Sequence, residues 1–562
     1  MKQKFIYLIM LVGLLTACNE EFTESPAVGA LSDAALQNEA GVNLMLTGAY
    51  STLDGVRANG FGNGWSISGD NWIMDVVSDD AHKGSTDGDQ GDLYQVETFD
   101  WSTGNGYFYG KWGVTFAGIN RANAVISLIN GIEEGDFSAQ LAEARFLRGH
   151  FNFELQKIWG NVPYISEENY NNSEFNQPNP GPIWDKIEAD FEYAANNLPS
   201  TQGSEVGRPT SWAAKAFLAK AQLHQGKWSS ALTIFNDVIN NGPYDLLPDY
   251  VDNFRLAGDN SVESIFSIQF TADAGNAFNG NTGGALNFPN PGPFGACCGF
   301  YQPTQDLLNA YQTANGLPLL DTFNQTDVTS DYGINSSEAF TPYAGELDPR
   351  ADYSIGRRGI DYNGYGVNPG KDWIRAEFAD ISGPYLSRKN VYWNGETDNM
   401  ATGGWGQQHS GINYHIMRFA DVLLMGAEAA AESGDIETAL GYVNRVRNRA
   451  KNSNYVQAVD GSGDAANYSI EPYTGFSGQD EAVKAVRFER RLELAMEGQR
   501  LFDIRRWGNA PQIMNAYFAN EARTIGNFGT KVNPYTATYD RFPIPVSAID
   551  LSGNVLTQNP GF

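Results

Sequence analysis

Two widely separated stretches of this chain spell the same helix–turn–helix. The first runs Ala221-Gln-Leu-His-Gln-Gly226-Lys-Trp-Ser-Ser-Ala231-Leu232. The second runs Ala429-Ala-Ala-Glu-Ser-Gly434-Asp-Ile-Glu-Thr-Ala439-Leu440. Ala, Gly, Ala and Leu hold the same relative places in both. A glycine closes a helix by adopting positive φ without steric cost, and a small Ala beside Leu lets the next helix seat closely on the first. Around both hairpins apolar residues recur at three- and four-residue steps, the mark of an amphipathic helix. The spacing predicts helices over Asp33–Leu53, Trp112–Ile132, Ser138–Trp159, Ile183–Leu198, Thr210–Gln225, Ser229–Asn240, Tyr414–Ser433, Ile436–Ala450 and Gln479–Trp507. Residues 54–110 and 243–410 lack that period and are dense in Gly, Asn, Asp, Pro and aromatics. The tail, 520–562, is irregular.

The repeated turn resembles that of a tetratricopeptide repeat, in which each helical pair buries its apolar face only against its neighbours. The expected fold is mostly α: a tetratricopeptide-like scaffold over about 112–242 and 411–510, with loop-rich insertions and a few short strands. Residues 31–562 are read as one domain. Long loops in compact proteins usually carry function, so 54–110 and 243–410 are the expected ligand-facing parts.

The N-terminus reads as an export signal. Lys2 and Lys4 precede the apolar run Leu8-Ile-Met-Leu-Val-Gly-Leu-Leu-Thr-Ala17-Cys18, which is too short to cross a bilayer. Leu15-Thr16-Ala17-Cys18 resembles a bacterial lipobox. That resemblance implies a signal peptide over 1–17, acylation of Cys18 as the mature N-terminus, and a tether over 18–30. No later run is long and apolar enough to span a membrane, so membrane contact is expected through the lipid anchor only. A formal net charge of −29 repels nucleic acid and anionic headgroups. The three cysteines are Cys18, Cys297 and Cys298, which cannot form a zinc ribbon. Adjacent Cys297 and Cys298 either stay as thiols or close a vicinal disulfide. Their loop is either a ligand surface or a pair of small buried side chains.

No His-Glu-x-x-His, Gly-x-Ser-x-Gly or P-loop motif occurs, and the five His are not at metal-ligand spacing. Asp79-Asp80 could serve glycoside hydrolysis only at the right carboxyl separation. Asp87-Gly-Asp89-Gln-Gly-Asp92 weakly resembles a calcium loop but has Thr98 where the bidentate Glu belongs. No catalytic residue, metal or cofactor is expected. Aromatics make up 13% of the chain, with 12 Trp and 27 Tyr. A flat ring in a Gly- and Asn-rich loop covers the apolar face of a sugar while Asn, Asp and Arg bond its hydroxyls, although most of these rings belong in the core. The densest charged motif runs from Arg487 to Gly508. On one helix, Arg490, Glu493, Glu497 and Arg500 would share a face, which reads as an ion-pair network.

That last stretch resembles the C-terminal hallmark of the SusD/RagB family of outer-membrane nutrient-binding lipoproteins. Other stretches agree in the family's order: Ile119-Asn-Arg-Ala-Asn123 after Trp112, Ala142-Glu-Ala-Arg-Phe-Leu-Arg148, Trp159-Gly-Asn-Val-Pro163, Gly207-Arg-Pro-Thr210 with Ala213-Ala-Lys-Ala216, Arg418-Phe-Ala-Asp421 with Ala427-Glu428, Phe542-Pro-Ile-Pro545 and Gln558-Asn-Pro-Gly561. The resemblance implies a surface-exposed, lipid-anchored protein of the outer membrane. It implies glycan capture without bond cleavage and delivery to a SusC-like TonB-dependent barrel. A lipid-anchored glycoside hydrolase and a peptide-binding member of the same importer class are the alternatives. Val77–Gly84, Cys297–Thr304, Leu347–Arg350 with Gly356–Ile360, Gly370–Arg375 and Gly383–Tyr385 resemble loops of one family branch. By that resemblance the expected ligand residues are Asp80, Cys298, Tyr301, Arg358 and Tyr385. Trp72 and Trp101, in the early loop region, are the remaining stacking candidates.

Overall fold

A computed structural model describes residues 33–55, 71–272, 280–295, 298–389, 391–404 and 406–562. The signal peptide, Cys18, the tether and Cys297 therefore lie outside the described residues. The scaffold helices are α1 (Glu39–Tyr50), α2 (Gly106–Asn130), α3 (Ser138–Trp159), α4 (Trp184–Asn197), α5 (Ser211–Leu223) and α6 (Trp228–Asn241), then α7 (Phe419–Glu432), α8 (Ile436–Asn452), α9 (Gln479–Leu494), α10 (Arg500–Arg506) and α11 (Ala510–Thr524). Each of α2 to α6 packs on the one before it. Gly118 on α2 lets α3 approach closely: a Cβ there would lie 2.5 Å from the Phe151 ring. Gly226 and Gly434 take φ of 69° and 83°, Ala231 and Ala439 are buried, and Leu232 and Leu440 pack against the core. Thr210 and Asp435 cap α5 and α8 by accepting from the Ala213 and Thr438 amides. The architecture is mostly α, as the periodicity predicts.

α6 packs directly on α7, although the whole 242–418 segment lies between them in sequence. That segment leaves the scaffold and returns to the same seam. Its root is a two-stranded antiparallel ribbon in which Ser264–Ile268 pairs with Tyr414–Arg418, Tyr414 opposite Ile268 and Arg418 opposite Ser264. Phe266 of the ribbon meets Phe146 of α3 at 5.0 Å and Phe217 of α5 at 6.1 Å, so the root is fixed in the helical core. Tyr414–Arg418 is thus a strand where the periodicity predicts the first turn of a helix.

A buried charge network fastens this seam. Arg418 meets Glu263 at 2.9 Å, Glu493 at 2.7 Å and Glu497 at 2.8 Å. Arg350 meets Asp348, Glu489 and Glu493 at 2.7, 2.7 and 2.9 Å. Arg449 bonds Glu263 and Glu493, and Lys389 bonds Glu497. Isolated buried charges each cost several kcal/mol, and here every one has oppositely charged partners. Burial pushes the Glu493 carboxyl up, but Arg449, Arg418 and Arg350 overcome it and hold the group well below the usual carboxylate range. The network arises differently from the expected helical stripe. α9 ends at Leu494, Met496 and Gly498 take φ of 61° and 73°, and α10 starts at Arg500. The partners come from distant segments rather than from the next turn.

The first part of the 71–110 stretch is interior rather than a surface loop, while Gly88, Gly91, Asp92, Asp100, Ser102 and Gly104 are exposed. From Asp75 to Ser85 every residue is buried. His82 bonds Glu97 and Glu521, each at 2.8 Å. The Lys83 ammonium donates to the carbonyls of Gly84, Thr86 and Asp89 at 2.8–2.9 Å, so the segment weighed as a calcium loop wraps a lysine. Among the described residues no group of three or more His, Cys, Asp or Glu is placed to hold a metal ion, and no helix is long and apolar enough to cross a membrane.

Candidate ligand-binding surface

The 242–418 insertion carries its own small core of Phe288, Tyr362, Ile374, Ala376, Leu386, Val391, Tyr392 and Ile412. Three half-buried rings close it towards solvent: Phe294, Tyr365 and Trp373. Phe294 is the hub. Its ring lies 4.6 Å from Tyr365, 5.0 Å from Phe288 and 5.3 Å from Tyr392, all edge to face. Trp373 stands edge-on to Tyr362 at 5.9 Å. Such contacts fix ring orientation before any ligand arrives. Gln408 ties the group together beneath the surface. Its amide donates to the Phe294 carbonyl at 3.2 Å, and its oxygen accepts from the Tyr392 hydroxyl at 2.9 Å and from Thr402 at 3.1 Å. The rings' chain neighbours Gly295, Gly364 and Asp372 are exposed. Burial raises the Tyr365 and Tyr392 phenols above their ordinary range, so both remain hydrogen-bond donors at neutral pH. Flat half-exposed rings can cover an apolar ligand face, while polar neighbours bond groups at its edge.

The residues expected at the site are distributed differently. Asp80 is 1% exposed and accepts from Arg491 Nε at 3.0 Å. Beside it Asp79 takes Arg500 bidentately at 2.8 Å; burial raises its pKa, but Arg491 and Arg500 bring it down to about 2. Trp101 is packed against Phe99, Tyr539 and Phe542 at 4.7–5.5 Å, with its indole N–H on the Val96 carbonyl. Tyr301 and Tyr385 are each 1% exposed, and the Tyr385 hydroxyl donates to Gln305 at 2.6 Å. Cys298 is buried and disulfide-bonded, and its amide donates to the Phe288 carbonyl. A ligand at the surface touches none of these side chains in this arrangement, because each is enclosed by partners from other parts of the chain. Arg358 lies nearer solvent, but its guanidinium donates to the carbonyls of Asn335, Ser336 and Glu338 and covers Phe340 at 5.2 Å. It pins a loop. Trp72 lies on the short helix Asn71–Val76, and its side chain is outside the described residues.

Two family matches divide the chain. Residues 43–223 match a family described as starch-binding and associating with the outer membrane. Residues 262–562, more than half of the chain, match the SusD family. The chain belongs to the SusD family. SusD-like protein P2 of Formosa agariphila is 27% identical over all of both chains, and a SusD-like protein of Bacteroides ovatus is 24% identical over 93% of this chain and 86% of its own. A SusD-like carbohydrate-binding protein of Bacteroides fragilis superposes with a TM-score of 0.69 at 23% identity, covering 93% of this chain and 99% of that one. Surface glycan-binding protein A of Bacteroides thetaiotaomicron, solved with laminarihexaose, gives 0.65 at 20% identity, covering 93% and 99%. These structures establish the SusD fold for this chain.

Within that fold the sequence reading missed Phe294, Tyr365 and Trp373. Each had a local signal. Tyr365 stands between Gly364 and Gly366, Phe294 between Pro293 and Gly295, and Trp373 follows Gly370-Lys-Asp. A large ring held in a tight loop cannot bury itself by helical or strand periodicity.

Proposed function

We propose that this protein is a non-catalytic, lipid-anchored glycan-binding protein of the outer-membrane surface. It captures oligosaccharide on the Phe294–Tyr365–Trp373 platform and delivers it to a SusC-like TonB-dependent barrel. The observation that carries the reading is the half-exposed, pre-oriented ring cluster on a member of a family whose solved relatives include carbohydrate-binding proteins. Membership of that family and the lipobox support the anchor, the membrane and the barrel. The hydrolase alternative is disfavoured by Asp79 and Asp80. Both carboxylates are enclosed and engaged by guanidiniums, which leaves neither free to attack or protonate a glycosidic bond.

Calorimetry with a panel of neutral oligosaccharides, laminarihexaose among them, tests the reading. Removing one stacking ring should cost on the order of 1–1.5 kcal/mol, about a tenfold loss of affinity. Phe294→Ala and Trp373→Ala should each show that loss with an unchanged far-ultraviolet circular dichroism spectrum. Parental affinity in both variants would remove the platform from the site, and release of shortened sugars would replace binding by hydrolysis.

A further inference from the structure

A second concavity lies away from the platform, between α9, α10, α11 and the 320–324 loop. It encloses about 660 Å³, within the range of small-molecule sites, and shares no lining residue with the ring cluster. Its walls include the half-buried rings of Phe323, Phe488 and Trp507. Phe323 and Phe488 meet edge to face at 5.4 Å, and Arg487 covers Trp507 at 4.8 Å. The floor holds Asp79, Asp306, Arg491, Arg500 and Tyr517.

Apart from the exposed Asp480, the charges in this cleft are already matched. Arg491 bonds Asp79, Asp80 and Asp306, Arg500 bonds Asp79, Arg487 bonds Glu432, and Lys484 bonds Asp321. A phosphate, a carboxylate or a metal ion would each meet a group of its own sign beside its partner. Uncharged polar capacity is left over. Arg500 gives Nε and Nη2 to Asp79, and its Nη1 has no acceptor among the described residues. The Tyr517 hydroxyl, on a residue only 3% exposed, has no hydrogen-bond partner among them either. The buried Oδ1 of Asn509 accepts no bond. Arg500 and Tyr517 line one cavity and offer two uncommitted donors to it, while Asn509 Oδ1 is sealed from solvent.

We propose that this cleft is a second saccharide site that takes a short, neutral oligosaccharide independently of the platform. Sugar hydroxyls accept from Arg500 Nη1 and the Tyr517 hydroxyl, while the half-buried rings cover apolar sugar faces. The proposal rests on the glycan-binding reading for its ligand class, but on separate residues for its place. A chain with two such sites holds a polysaccharide by avidity even when each site is weak.

The test is calorimetry and crystal soaking of the mature protein with maltose, cellobiose and laminaribiose. At least one sugar should bind at two sites per chain, with density in the cleft. Ala516→Trp, which puts an indole into the cleft from the exposed face of α11, should leave one site. Tyr517→Phe keeps the ring packing and removes one hydroxyl, and should weaken the cleft site about five- to tenfold while the platform site holds its affinity. A single site in the parent that survives Ala516→Trp, or water alone in the cleft, overturns the proposal and leaves the platform standing. Binding that persists in the cleft but is unaffected by Phe294→Ala and Trp373→Ala removes the platform instead. Absence of binding by every sugar overturns both.

Discussion

Glu497 offers the sharpest check on the reading of the charge network. Its carboxylate accepts from Lys389 at 2.8 Å and from Arg418 Nε and Nη2, each at 2.8 Å, and the residue is 5% exposed. Glu497→Gln keeps the shape and deletes the charge. Lys389 keeps the Ala495 carbonyl at 2.6 Å, and Arg418 keeps Glu263 and Glu493. The loss should therefore sit near the lower end of the roughly 3–5 kcal/mol for breaking a buried pair. Unfolding entropy scales at about 2.1 cal/mol/K per residue, so a cooperative chain of this size loses roughly 1 °C of Tm per kcal/mol. Scanning calorimetry at pH 7 should place the variant about 3 °C below the parent, with unchanged glycan affinity. Burial raises the Glu497 pKa, but Arg418 and Lys389 more than offset this and leave it lowered. Its contribution is then present above the ordinary carboxylate range, near pH 4.3, and is lost as pH falls through the depressed folded value. The gap between parent and variant should close in acid. Equal Tm values at pH 7, or lost binding without lost stability, would refute the structural role.

His82 makes the opposite pH prediction. Burial lowers its pKa, but bonds to Glu521 and Glu97 raise it to about 9. Its stabilisation, roughly 3 kcal/mol from the difference to 6.5, is complete below pH 6.5 and lost as pH rises through 9. Melts from pH 6 to 10 should fall in the parent and stay flatter in His82→Asn; parallel curves would show that the imidazole is neutral. Cys18→Ala should abolish fatty-acid labelling and release the protein from the membrane, and labelling that persists would sink the lipobox reading. Native protein should co-purify with a TonB-dependent barrel from detergent-solubilised outer membranes, and repeated recovery of the protein alone would count against a stable importer complex.

The helical scaffold was legible because a buried helical face writes its period into the sequence. Ser138–Trp159 emerges with the boundaries the spacing predicts, and both hairpin glycines sit at positive φ. The break after Leu494 was hidden among helix-forming residues. The bonds that fill it come from elsewhere, from Lys389 to the Ala495 carbonyl and from Tyr414 to the Glu497 carbonyl. The 71–110 stretch misled for the same reason. Its polar density looks like a solvated loop, and residues 75–85 are buried because Arg491, Arg500 and Glu521 arrive from hundreds of positions away. Local sequence carries no trace of such partners. The site suffered most: family-like loops pointed to Asp80, Tyr301 and Tyr385, which are interior, while Phe294 and Tyr365 sit beside glycines and proline and Trp373 in an irregular loop, leaving no period to read.

The network also sets an order of events. The ribosome delivers Arg350, Lys389, Arg418 and Arg449 before Glu489, Glu493 and Glu497. Asp79 and Asp80 wait longer still for Arg491 and Arg500, His82 waits for Glu521, and the Trp159 indole waits for the Pro543 carbonyl. Early helices can form as they emerge, and Asp348 and Glu263 can already meet Arg350, Arg418 and Arg449, but the network is completed only by residues 489–497. A premature stop before residue 489 should therefore leave a hydrated, protease-sensitive nascent chain rather than a shorter folded protein, which gives quality control a simple criterion for discarding incomplete copies.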